Sequence, residues 1–519
     1  MGFRVLVAAA ALPFAGPFLY LIIRAAEGDA AWEHALRERT LGPLWRTLIL
    51  GSSVAVAAAA LGTAVAWLVA RTDLPGRRIW AVLLALPLVI PSFIGAFALI
   101  AAFSRGGLLE RVTGIGGLRS VSGFWGAFGV LVLLTYPYVY LPVAARLRAL
   151  PPSMEESARL LGRGAFGTFR TVVLPQAWTA VLAGALLVFL YTISEFGLVQ
   201  LLRYDTLTRA IYANRVIDPP VSITMSLILG ALAIAVVALE RRLARRRPGP
   251  PRREGRALVV PLGRWRAGAL GLVGGVVGLA LVAPVGVLAY WALRGLGEGA
   301  SRSGALVTNP SELVEPAINT SIASLLAAAC AVAVVLPVAY FTARGRGRAG
   351  GVANAVVVGG FALPGLVIAL ALVFWTLGAP EPLASLYQTL PLLVGAYVLH
   401  FGALALGTAQ VAVAGIPPAL EDAARVLGRG RLRRLVQIEL PLMAPGLAAG
   451  AGLVLLSAMK ELPATLLLAP AGFPTLATRI WSSAEDAFWA DASLAALALV
   501  AVSGVLTWLL LIRRGRAVA

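Results

Sequence analysis

Apolar residues in this chain do not alternate with polar ones; they come in blocks. The stretches 54–70, 80–103, 177–193, 267–293, 325–339 and 492–511 contain no charged side chain. A helix of roughly 20 apolar residues crosses ~30 Å of hydrocarbon, so most of these blocks are long enough to span a membrane. Extending the pattern to the weaker blocks predicts helices at about 5–23, 46–70, 79–103, 122–146, 177–200 and 220–240. A second set follows at about 267–293, 318–342, 351–376, 386–412, 443–468 and 492–512. The expected fold class is an all-α polytopic membrane protein with about 12 transmembrane helices.

Composition supports lipid as the solvent for most of the chain. It is 59% hydrophobic and 13% charged, with a mean hydropathy of +0.87, outside the range of ordinary soluble domains. The net charge of +20 would suggest a nucleic-acid partner on a soluble domain. Here the arginines fall in short segments between apolar blocks, so no nucleic-acid partner is expected. Arg71, Arg77 and Arg78 form one such segment, Arg344, Arg346 and Arg348 another, and ten more lie from Arg241 to Arg266. Arg513, Arg514 and Arg516 lie at the end of the chain, whereas 26–39, 298–315 and 473–491 are mixed or acidic. This is the positive-inside pattern, and it places both termini in the cytoplasm of a bacterial inner membrane. The apolar core of 1–26 is about 19 residues, longer than a signal-peptide core, so the segment reads as an uncleaved first membrane helix. Cys330 is the only cysteine, which excludes a disulfide framework and a thiolate metal cluster.

The chain repeats itself. Pro151, Pro152, Glu155, Glu156, Ala158, Leu161, Gly162, Gly164, Leu174 and Pro175 recur 266 residues later as Pro417, Pro418, Glu421, Asp422, Ala424, Leu427, Gly428, Gly430, Leu440 and Pro441. The same offset carries Glu195 to Glu461, while Arg71 to Arg344 and Pro91 to Pro364 are offset by 273. One small insertion explains the difference. Two homologous halves are expected, 1–240 and 267–519, joined by a basic, Pro-rich cytoplasmic linker at 241–266 suited to anionic lipid head groups. Six helices per half give both halves the same orientation, a parallel repeat.

Within each half the loop after the fourth helix, 151–175 and 417–441, is repeated more closely than the flanking membrane segments. Ser153 and Glu156 have capping-box spacing, which predicts a short helix starting there. In the second copy Pro418 is the first-turn residue, with Glu421 and Asp422 favourably placed for the helix dipole. Gly162 falls where that helix needs a left-handed C-terminal cap. A second short helix carrying Phe166, Phe169, Val172 and Val173 is expected to stop at Pro175.

These loops resemble the EAA loop of permeases of the ATP-binding-cassette importers. The matching residues are Glu156-Ser157-Ala158, Gly162 and Leu174-Pro175, and in the second copy Asp422-Ala423-Ala424, Gly428 and Leu440-Pro441. Ser157 and Asp422 are conservative departures. The resemblance implies the type I importer permease fold, with each loop forming a coupling helix that fits a groove on one of two ATPase copies. The chain's sole lysine, Lys460, follows Met459, so no Walker loop is present and ATP hydrolysis is expected in a partner. No enzymatic activity and no cofactor are expected in this chain.

The run Met459-Lys460-Glu461-Leu462-Pro463-Ala464-Thr465, followed by Phe473 and Thr475-Leu476-Ala477-Thr478-Arg479, resembles fused permeases of the ferric iron importer family. Thr135-Tyr136-Pro137-Tyr138-Val139-Tyr140 and Ser194-Glu195-Phe196-Gly197 fit the same family. It implies delivery of cargo by a periplasmic solute-binding protein, with polyamine, thiamine and other small-solute permeases sharing much of the pattern.

Glu195 and Glu461 are expected about 17 residues into the fifth helix of each half, roughly 25 Å from its start. Two readings stand. In one, Glu195, Glu461 and Lys460 belong to the transport pathway, where carboxylates favour a hard cation; in the other, each glutamate caps a broken helix or pairs with an arginine such as Arg203 or Arg479. His400, without a second histidine nearby, is expected to be a packed, hydrogen-bonded residue, and the loops read as periplasmic contain no recognisable metal cluster. An ion-driven secondary transporter and a non-transporting scaffold are the competing classes; neither accounts for the paired loops.

Overall fold

The computed structural model describes residues 2–27, 38–104, 106–114, 121–150, 152–244, 259–297, 310–344 and 348–507. Pro151, Arg346, most of the basic linker and Arg513, Arg514 and Arg516 lie outside these, as do the side chains of Glu421, Phe166 and Arg348.

Ten helices are long and apolar enough to cross a membrane, and two bent pairs bring the number to as many as twelve, among the described residues. In chain order they begin with α1 (Val5–Glu27), α2 (Glu38–Arg71), the bent pair α3 (Arg77–Val89) and α4 (Ser92–Phe103), and α5 (Phe124–Arg148). After the short α6 (Pro152–Leu160) come α7 (Phe169–Ser194), the short α8 (Gly197–Leu201), α9 (Pro219–Leu243) and α10 (Gly263–Leu296). The second set is α11 (Pro310–Arg344), the bent pair α12 (Ala349–Ala362) and α13 (Gly365–Leu377), and α14 (Leu390–Ala414). It ends with the short α15 (Pro418–Val426), α16 (Leu435–Met459), the short α17 (Pro463–Leu468), α18 (Leu476–Glu485) and α19 (Trp489–Leu506). A parallel bridge between Thr72 and Val260 is the only extended pairing among the described residues.

Four expectations need correction. The helices predicted over 79–103 and 351–376 are each broken, with bends of 93° and 98°. Pro91 and Pro364 lack the N–H that would continue the ladder, and each sits with extended ψ ahead of the second segment. Second, α6 starts at Pro152, so Ser153 lies inside the first turn and is not its cap. A first-turn proline, whose missing N–H would be unsatisfied there anyway, opens both copies. Third, Pro175 does not end a short helix. The turns Phe169–Val173 and Leu435–Glu439 are π-helical, and the chain runs on into the membrane helix. The wider turn loosens the ladder just where Pro175 and Pro441 cannot donate to it. Fourth, α7 and α16 end at Ser194 and Met459, so Glu195 and Glu461 stand past the helices rather than inside them.

The chain packs as two compact units: 35–213 with 231–293, and 1–34 with 214–230 and 294–519. The sequence repeat and the packing are different partitions, because α1 packs with the second set of helices and α10 with the first.

In the first of these units α2, α5 and α7 pack on one another. Close approach depends on absent side chains. A Cβ on Gly184 of α7 would stand 2.7 Å from Val139 Cα, and one on Gly62 of α2 would stand 2.8 Å from the Tyr136 carbonyl oxygen. Lipid offers apolar side chains as good a home as protein does, so backbone proximity of this kind carries helix association. Tyr136 and Tyr140 donate their hydroxyls to the Leu84 and Ala81 carbonyls, at 2.8 and 3.1 Å, at the irregular end of α3. Trp291 of α10 donates to the Ala101 carbonyl at 3.2 Å.

The other unit repeats the plan with α11, α14 and α16. Phe14 of α1, 1% exposed, fills the space above Gly402 of α14.

Candidate functional site

The repeated loops share a backbone. Gly162 and Gly428 have φ of +80° and +69°, the left-handed cap expected of them. Arg163 N–H donates to the Ala158 carbonyl at 3.1 Å and Arg429 N–H to that of Ala424 at 3.0 Å, closing the last turn of α6 and α15 in the same way. Ala158 and Ala424 are 6% and 2% exposed, so the small residues face inward. Glu156, Ser157, Asp422 and Ala423 are exposed. Ser157 donates to the Ser153 carbonyl, and Asp422 pairs with Arg425 on the surface. Leu174, Pro175, Leu440 and Pro441 lie beyond the π-turns, at the start of the straight part of α7 and α16.

Two features were missed by the sequence reading. The first is a matched apolar tip: Leu160 and Leu161 are 88% and 82% exposed, and Val426 and Leu427 at the same offset are 88% and 77% exposed. Large apolar side chains raised on a polar loop mark an interaction surface. Leu161 and Leu427 stood among the repeated residues, and only their exposure was invisible. The second is a set of buried ion pairs. Arg71, the last residue of α2, lies 2.7 Å from Glu155 of α6, with side chains 1% and 5% exposed. Arg344, its counterpart, donates instead to the Ile416 carbonyl at 2.9 Å, just before α15. The second loop carries its own buried pair, Arg434 with Glu439 at 2.6 Å, and this bond holds the Arg434 guanidinium firmly protonated.

On the other side of Arg71 the chain is strapped down. Val260 N–H donates to the Arg71 carbonyl at 2.8 Å, Leu262 N–H to Asp73 at 2.8 Å, and Arg266 to Asp73 at 2.6 Å. The Leu262 N–H and then the Arg266 guanidinium hold the Asp73 carboxyl below the usual carboxylate range.

Glu195 and Glu461 each cap the short helix that follows. Leu198 N–H donates to Glu195 Oε1 at 3.0 Å, and Ala464 N–H to Glu461 Oε1 at 3.3 Å. Each also reaches the break in the bent pair of its own unit. Glu195 Oε2 accepts from Ser92 Oγ at 2.6 Å, and Glu461 Oε1 crowds Gly365, the residue matched to Ser92. Arg479 pairs with Asp491 and Glu312, not with Glu461. His400 packs on Phe401 with centroids 4.3 Å apart, as expected of a packed histidine, but its buried Nδ1 has no hydrogen-bond partner among the described residues. Lys460 stands at the end of α16, beside Glu461 in sequence. No group of three or more His, Cys, Asp or Glu gathers in metal-binding geometry among the described residues.

The family described as binding-protein-dependent transport system inner membrane component matches residues 40–247 and again 335–514. The chain belongs to this family. The two matches contain both repeated loops and both capping glutamates, so the duplication is of the family's own domain. Over its whole length the chain is similar to the Fe(3+)-transport system permease protein FbpB 2 of Haemophilus influenzae, 31% identical over 508 residues and 96% of each chain. A probable ABC transporter permease protein, y4fN of Sinorhizobium fredii, is 24% identical over 92% of this chain and 88% of its own. The molybdenum transport system permease protein ModB of Escherichia coli is 29% identical over 160 residues, 30% of this chain and 70% of its own. As a permease of this family the chain is a multi-pass inner-membrane transport protein, and membership implies an ATPase and a solute-binding protein as partners.

Proposed function

We propose that this permease imports ferric iron delivered by a periplasmic binding protein, driven by two copies of a separate ATPase that dock on its repeated loops. The observation that carries the docking is the matched pair of exposed tips, Leu160–Leu161 and Val426–Leu427, each held in place by a left-handed glycine. A loop that served only to connect two membrane helices would gain nothing by raising two leucines into water. Glu156 and Asp422, exposed on the same short helices, supply charge beside each apolar tip.

The topology that fits this reading puts both loops, both termini and the 241–266 linker in the cytoplasm, with 1–240 and 267–519 as the two functional halves. Iron as cargo is supported by the full-length likeness to a ferric permease. The partial likeness to molybdenum permeases supports a second reading, an oxyanion as cargo. Reconstitution with the native ATPase and binding protein, followed by ATP-dependent uptake of labelled ferric iron and labelled molybdate, separates the two. Uptake of iron alone is expected; uptake of molybdate alone reassigns the cargo, and uptake of either without an ATPase overturns the docking scheme.

A further inference from the structure

The capping role of the two glutamates explains only part of what surrounds them. Both carboxylates hold the N–H three residues on, yet their remaining neighbours differ between the two units. At the positions matched by the repeat, Gly365 stands in place of Ser92, Leu404 in place of Tyr138, Ser457 in place of Tyr191 and the cation Lys460 in place of Ser194. In the first half every one of these four positions carries a hydroxyl without positive charge. Capping is therefore not what the phenols are for, since Glu461 caps without that pair.

The oxygens around Glu195 are already gathered. Ser92 Oγ lies 2.6 Å from Glu195 Oε2, and the Tyr191 hydroxyl lies 3.0 Å from Ser92 Oγ. The Tyr138 ring packs against Tyr191 with centroids 5.8 Å apart. Ser92 opens α4 at the 93° break, where no regular ladder continues across Ile90 and Pro91. Tyr138, Tyr191 and Glu195 are each partly exposed, whereas Ser92 is buried.

We infer that Ser92, Tyr138, Tyr191 and Glu195 form an all-oxygen transit site for a trivalent hard cation in the first half of the permease. This rests on the reading of ferric iron as cargo and deepens it. One carboxylate and two phenols, which lose their protons to water on binding, supply three negative charges against a charge of three on the ion. The bound complex is then neutral, the condition under which an ion can rest at membrane depth without the cost of an uncompensated charge. The neutral Ser92 hydroxyl and water complete the shell. Lys460 at the matched position makes the site around Glu461 unsuited to the same ion.

Phenolate bound to ferric iron gives a visible charge-transfer band and tyrosinate modes in resonance Raman spectra; carboxylate-bound or adventitious iron gives neither. The purified full chain in nanodiscs is titrated with ferric citrate, and ATP-dependent iron uptake by the assembled transporter is measured in parallel. The wild type should develop the band, Tyr138→Phe and Tyr191→Phe should each weaken it, and the double variant should lose it. Tyr397→Phe, which removes a phenol bonded to Thr465 in the other unit, should leave it unchanged. Loss of one oxygen leaves ring packing in place, and unaltered thermal unfolding of each single variant checks the fold. A wild type that imports iron without showing the band overturns the site and leaves the cargo reading intact. A band that persists in the double variant overturns it equally, and a wild type that imports only molybdate removes the cargo reading on which the site rests.

Discussion

Arg71 Nη2 sits 2.7 Å from Glu155 Oε1, with both side chains almost wholly buried, and so ties the end of α2 to the first short helix of the repeated loop. In the docking scheme proposed above, this pair would pass a displacement of α6 to the 34-residue helix α2. Removing one partner strands the other charge in a dry site, a cost of about 3–5 kcal/mol. Arg71→Met and Glu155→Leu are each expected to lower the unfolding temperature of the purified chain sharply. The double variant should recover most of that loss while uncoupling ATP hydrolysis from transport. A double variant as unstable as either single one would rule out the ion pair as the cause.

The exposed tips allow docking to be separated from folding. Leu160 and Leu161 contribute little to the chain's own core, so substitutions there should change stability by no more than about 0.5 kcal/mol. Leu160→Asp with Leu161→Asp is expected to weaken co-purification of the ATPase, the second tip at Val426–Leu427 being intact, while leaving the melting curve of the chain in place. Normal ATPase recovery with this variant would move the docking surface elsewhere.

Gly162 and Gly428 have open space around the position of a Cβ, so a substituent there meets no clash, only the strain of a positive φ. That strain is about 1–2 kcal/mol for an ordinary L-residue and less for asparagine. Gly162→Val should impair ATP-dependent uptake, and Gly162→Asn should retain most of it. Equal loss in both variants would point to side-chain bulk against a partner, not to backbone conformation.

Asp73 makes the strap from Val260 to Arg266 sensitive to acid. Its folded carboxyl titrates below the ordinary value of about 3.9, so its contribution is complete above that value and is lost as pH falls through the lower, folded one. Spin labels at Arg77 and Trp265 should report a single short distance near neutral pH and a broadened one once pH has fallen through the folded value, below about 3.9. In Asp73→Asn the broadening should already be present at neutral pH; a distance that ignores both changes would show that the backbone bridge alone holds the strap.

Much of this molecule can be read from its sequence. Apolar blocks of membrane length, the segregated arginines and the 266-residue offset are local or periodic features, so lipid thickness and charge asymmetry are enough to interpret them. The left-handed glycines were legible for the same reason, since a short helix followed by glycine, four residues past Ala158 and Ala424, has few other ways to stop. Less could be learned from Pro91, Pro364 and Pro175. A proline tells that a ladder must yield, but a 93° break and a π-helical turn are both solutions, and the choice depends on what packs alongside.

The sequence by itself determined that this chain lives in a membrane, that it is a duplicated permease and that two matched loops stand out. Tertiary structure alone decided which helices share a unit, because α1 and α10 are chosen by surfaces such as Gly402 and Ala101 that lie far away in the chain. It alone gathered Ser92, Tyr191 and Glu195, separated by about a hundred positions, into one cluster. And it alone set Glu155 against Arg71 while leaving Glu156 exposed, since neighbouring residues on one helix point about 100° apart and nothing in their order says which of them is in.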